Sequence, residues 1–89
     1  MIYGVFEVLR ILVDGGFFVV SALPDGSREV HLVQFLNGLD YDHCRISEHY
    51  FHKFYNCGIV QFWRSGWDNE GRLADFYFLT AGEGSPLSK

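Results

Sequence analysis

The chain has 89 residues, with 7 basic residues against 11 acidic ones for a formal charge of −4, a length that holds one domain and not two. Its basic residues, Arg10, Arg28, Arg45, Lys53, Arg64, Arg72 and Lys89, stand singly, whereas a chain that tracks a phosphate backbone concentrates positive charge on one face or run. The hydrophobic fraction is 48%, and nine Phe, five Tyr and two Trp give a core without disulfides or metal while exceeding what so small an interior hides, which predicts rings at the surface as a contact site.

The first segment, 2–13, reads as a helix. At about 100° per residue Ile2, Val5, Phe6, Val8, Leu9, Leu12 and Val13 share one broad side, with Tyr3, Glu7, Arg10 and Asp14 opposite. Glu7 and Arg10 interrupt the apolar run and no basic stretch precedes it, so it is not a signal peptide, and it falls short of the ~20 residues of a membrane span. The expectation is a soluble cytoplasmic chain. Asp14-Gly15-Gly16 supplies the helix stop, with a glycine free to take the left-handed cap conformation.

Phe17 to Leu23 is rich in strand formers, Pro24-Asp25-Gly26-Ser27 is a turn, and Glu29 to Leu36 returns as a second strand, a β-hairpin ended by Asn37-Gly38. A second helix is predicted from Asp40 to Asn56. Ile46, Tyr50, Phe51, Phe54 and Tyr55 form its apolar face, Asp40, Asp42 or Ser47 caps its start, and Gly58 lies past its end. A second hairpin follows, Ile59 to Trp67 and Arg72 to Thr80, joined by Asp68-Asn69-Glu70-Gly71. With Trp67 opposite Arg72, Arg64 faces Asp75, Phe62 faces Tyr77 and Trp63 faces Phe76, all favourable cross-strand pairs; a bulge at Gly71 would shift that register by one. The Gly/Ser/Pro-rich tail, 81–89, is expected to be disordered. The fold class predicted is α+β, a single domain over 1–80 in the order α-β-β-α-β-β, with a largely antiparallel four-stranded sheet packed against two helices.

Cys44, His49, His52 and Cys57 are all competent zinc ligands. On one continuous helix their side chains spread over about 220°, too far to meet at a single ion, so no metal or cofactor is expected and a zinc-stabilised domain is an alternative. Two cysteines are too few for a secreted disulfide scaffold. His43 beside Cys44 is a sequence neighbour without nucleophile–base geometry, and Asp40 and Asp42 fit a helix start better than an acid/base pair. No nucleophile elbow, phosphate loop or metalloprotease motif is present; the chain is not expected to be an enzyme.

The second hairpin carries the functional expectation. One side holds Ile59, Gln61, Trp63, Ser65, Trp67, Ala74, Phe76 and Phe78, the other Val60, Phe62, Arg64, Leu73, Asp75, Tyr77 and Leu79. Both sides are rich in large hydrophobes, where a sheet with one wet face alternates apolar with polar. Either helices cover both faces or one face is an interface. The expected function is a non-catalytic protein-binding module, in the manner of small inhibitors and accessory proteins of phages and mobile elements. Its contact residues would be Trp63, Trp67, Phe76, Gln61 and Arg72, helped by His49 and His52, and its partner another protein or a second copy in a homodimer. Base stacking on these rings, as in single-stranded nucleic-acid binders, is the further alternative, with the negative charge against it.

Overall fold

In a computed structural model, which describes residues 4–37 and 40–80, two helices and five strands alternate as α1 (Val5–Val13), β1 (Phe17–Ala22), β2 (Arg28–Asn37), β3 (Asp40–Ile46), α2 (Glu48–Asn56), β4 (Val60–Trp67) and β5 (Leu73–Leu79). The strands form one sheet in the order β3-β2-β1-β5-β4, antiparallel at every junction. The expected tail and Gly38 lie outside the described residues.

The α+β class stands, but the sheet has five strands, because Asp40–Ile46 is β3 and not the start of a helix. The apolar period that marks the helix begins only at Ile46, and the residues from Asp40 to Arg45 do not share it. Ser47 stops it: its Oγ accepts the backbone N–H of His49 (3.2 Å), and Glu48 puts an acid in the first turn. Upstream, His43 and Arg45 face one way and Cys44 and Ile46 the other, the two-residue period of a strand against β2. The two ends past the helices match expectation. Gly15 and Gly58 have φ of +99° and +74°, and the N–H of Asp14 and of Cys57 closes its helix on the carbonyl of Arg10 and Lys53.

Both helices pack on the same face of the sheet. Val8, Ile11 and Leu12 of α1 and Phe51 and Phe54 of α2 close over Phe18 and Val20 of β1, Val30 and Leu32 of β2, and Val60 of β4. Phe18 is the largest side chain with no exposed surface, its ring 5.7 Å from that of Phe51 and 6.1 Å from that of Phe54. Burying a side chain of this kind stabilises the fold by about 1.5–3 kcal/mol. Because α2 joins the two edge strands, β3 and β4, its path crosses the whole sheet, and Arg28 meets Glu48 at its first turn (2.9 Å).

The second hairpin departs from the simple register. Phe62 pairs with Tyr77 as expected, but a β-bulge at Trp63 makes Arg64 the partner of Phe76, Ser65 of Asp75, Gly66 of Ala74 and Trp67 of Leu73. One extra residue reverses the alternation beyond it. Ser65 therefore turns to the helix-covered side and donates to Asp75 (2.7 Å), while Arg64 joins Trp63 on the other. None of the described helices is long and apolar enough to cross a membrane.

Candidate functional site: the second face of the sheet

The face turned away from the helices has its own small apolar cluster, Val19, Val33 and Ala74 with Phe17 and Phe76 around them, drawn from strands alone. The pairing lays it out in rows. One row runs Gly66, Ala74, Ser21, Glu29; the next runs Arg64, Phe76, Val19, His31, Arg45. Its rings are continuous: Trp63 meets Phe78 edge-on at 5.1 Å, Phe78 stacks on Phe17 at 4.7 Å, and Phe17 meets Phe76 edge-on at 6.0 Å. Gly66 makes room for this, since a Cβ there would stand 2.8 Å from the Phe76 ring.

A cavity of about 300 Å³ opens on this face, lined by Phe17, Val19, Val33, His43, Trp67, Asp68, Asn69 and Phe76. Its floor is the strand cluster, and one wall is the β4–β5 connection folded over the sheet. Asp68 holds that wall in place. Its Oδ1 accepts the backbone N–H groups of Glu70 (2.9 Å) and Arg72 (2.8 Å), and its Oδ2 accepts Ser21 Oγ (2.7 Å) and Arg72 Nε (2.8 Å). Burial pushes the Asp68 carboxyl up, but these hydrogen bonds, led by the Arg72 N–H, outweigh it and hold the group well below the ordinary carboxylate range.

Arg72 carries the network onward. Its Nη2 donates to Glu29 Oε2 (2.9 Å) and also meets Glu70 Oε2 (2.6 Å). Glu29 is bonded too by His31 Nε2 at 2.8 Å and lies 3.5 Å from Arg45 Nη1. The hydrogen bond from His31, then that from Arg72, lowers the Glu29 carboxyl. All four donors on Asp68 are accounted for, so the carboxylate is structural and the cavity wall it forms is electrostatically quiet.

Of the residues singled out from sequence, Trp63, 38% exposed, Phe76 and Gln61 fall on this face. The bulge pairs Trp67, 70% exposed, with Leu73 on the alternation of Ser65, so that it reaches the face only at the rim of the cavity, at the end of its strand. Arg72 stands in the ion network. His49 and His52 sit on α2 with the sheet between them and the rings; His52 Nε2 lies 3.0 Å from Glu48 Oε1. The four zinc candidates are divided between β3, which holds Cys44, and α2 with its C-cap, Cys57. No group of three or more potential ligands occurs among the described residues. Cys44 and His43, adjacent in β3, point to opposite faces, and Asp40 and Asp42 lie in the same strand.

Sequence reasoning missed Ser21, Glu29, His31, His43 and Asp68. Asp68 reads as an ordinary turn residue and Ser21 as a small residue in an apolar run. The available signal was the alternation Glu29, His31, Val33 along β2, which puts charge and an apolar floor on one face. No family model, no curated protein and no solved structure matches this chain.

Proposed function

We propose that this chain is a non-catalytic protein-binding module that engages its partner through the second face of the sheet. The observation that carries the reading is the combination on one face of continuous aromatic rings, a cavity of about 300 Å³ and a wall pinned by Asp68 and Arg72. Rings give contact area at low entropic cost, and a pinned wall has little ordering left to lose on binding. The volume is at the bottom of the range of small-molecule pockets, ~300–1,000 Å³, and suits one or two side chains of a partner. A rigid face on a small acidic domain fits the work of an inhibitor or accessory protein.

The test compares capture of host proteins by the native chain with capture by Trp63→Ala/Trp67→Ala, keeping Phe6→Ser on the exposed side of α1 as control. Circular dichroism verifies the fold of each. Loss of a specific partner in the double variant alone is the expected result. Equal capture by all three chains rejects the reading.

A further inference from the structure

The lining of the cavity on the second face divides into an apolar part and a polar part. Phe17, Trp67 and Phe76 bring three rings to it, and Val19 and Val33 an aliphatic floor, the two valines only 3% and 1% exposed. Among the described residues no Lys or Arg lies in the lining, and Asp68 is its one carboxylate. That charge is already engaged within the chain. Each Asp68 oxygen accepts two donors, from Glu70 and Arg72 on one and from Ser21 and Arg72 on the other. Arg72, the cation behind it, is divided between Asp68, Glu29 and Glu70. Asn69 differs: it is exposed at the cavity, and its side-chain amide is bonded to none of the described residues. His43, whose ring lies 6.2 Å from that of His31, completes the polar part.

We propose that the cavity is a socket for one uncharged aromatic side chain of the partner, a tyrosine or a tryptophan, with its polar tip at Asn69. The proposal rests on the reading of this face as a contact surface and names what that surface receives. Volume sets the size: a void of roughly 150 Å³ already holds a benzene ring, and about 300 Å³ takes a ring with its stem and polar tip. Charge sets the class. A cation entering here gives up its water and finds Asp68 already holding four donors, and an anion finds no Lys or Arg in the lining, so burial of either goes uncompensated. A neutral ring loses little hydration and gains three rings to pack against, where edge-on and offset pairs add to plain area burial. Its hydroxyl or indole N–H needs one partner to be buried there, and the Asn69 amide, able both to donate and to accept, supplies it. Tyrosine and tryptophan seated in pockets are also the anchors that dominate the energy of protein contacts.

Chemical-shift titration of the full chain with three ring probes at neutral pH tests this: para-cresol, which is the side chain of tyrosine, against benzylammonium and benzoate. Para-cresol is expected to bind in the millimolar range. It should shift the Val19 and Val33 methyls and the Trp67 indole N–H together, while the Trp63 indole, outside the lining, stays in place. The two charged rings are expected to bind at least about tenfold more weakly. Asn69→Asp leaves the floor intact and puts an unpaired carboxylate in the lining, so benzylammonium should gain about tenfold or more in that variant. Val19→Phe fills the floor with a ring of its own and should abolish para-cresol binding, circular dichroism verifying its fold. No saturable shift with para-cresol, charged rings that bind as tightly, no gain of benzylammonium in Asn69→Asp, or native binding in a folded Val19→Phe chain each overturns the socket. Loss of partner capture in Trp63→Ala/Trp67→Ala would then still uphold the contact surface, and unchanged capture beside any of these results removes the face as well.

Discussion

Removing the Asp68 carboxyl takes the acceptor from four donors at once and leaves the Arg72 guanidinium, 23% exposed, short of a partner. Asp68→Ala is expected to cost about 1–3 kcal/mol, the scale of hydrogen-bond donors left without their acceptor, since Arg72 keeps Glu29 and Glu70 as partners, read as a lower urea midpoint. The pH dependence follows from the same contacts. Asp68 and Glu29 both titrate lower in the fold than in the unfolded chain, so their contribution is fully present above the unfolded carboxyl values near ~4. It is lost as pH falls from there towards the folded values. The urea midpoint should therefore hold from neutral pH to about 5 and then drop, and Asp68→Asn should lower the neutral plateau and flatten that drop. An unchanged acid limb in Asp68→Asn would show that the carboxylate is not what is titrating. Trp67 behaves oppositely. At 70% exposure its replacement by Ala should change stability by no more than about 0.5 kcal/mol, which separates its role in contact from any role in folding.

Elements in this chain are defined at their ends as much as by their interiors. Gly16, between α1 and β1, is the tightest junction: a Cβ there would stand 2.6 Å from both Ile11 Cγ2 and the Val33 carbonyl oxygen. Gly16→Ala should destabilise by about 3 kcal/mol through overpacking against backbone, and Ser47→Ala by about 1 kcal/mol through loss of the α2 cap, both measured by urea unfolding. The hairpins, the helix stops and the identity of both helices were legible in the residues because turn chemistry and apolar period are local. β3 was not. Its residues are polar enough to pass for a helical flank, and only pairing with β2 makes them a strand. The bulge was equally hidden: cross-strand pairs such as Phe62 with Tyr77 are readable, while no local pattern marks Trp63 as the one extra residue. The contact rings were legible as a surplus, but the acid–base wall beside them joins residues 47 and 43 positions apart, and no local pattern brings Ser21 to Asp68 or Glu29 to Arg72.

At the scale of the whole molecule, two apolar clusters back onto one sheet, a large one under the helices and a small one on the far side. Phe18→Ala in the large cluster should cost about 3–5 kcal/mol, a considerable share of the ~5–15 kcal/mol that holds a domain together, and leave a partly unfolded chain at 37 °C by near-ultraviolet circular dichroism. One feature of β4 bears on the solution behaviour of the entire protein. Among the described residues it is an outermost strand with no strand paired along its other side, and such a border is the template on which fibrils grow by adding strand after strand. The extra residue at Trp63 kinks that template midway and the Arg64 cation sits on the kink, so stacking of further chains in register is frustrated there. A shortened chain lacking that single residue would regain a straight border and should be the more fibril-prone of the two.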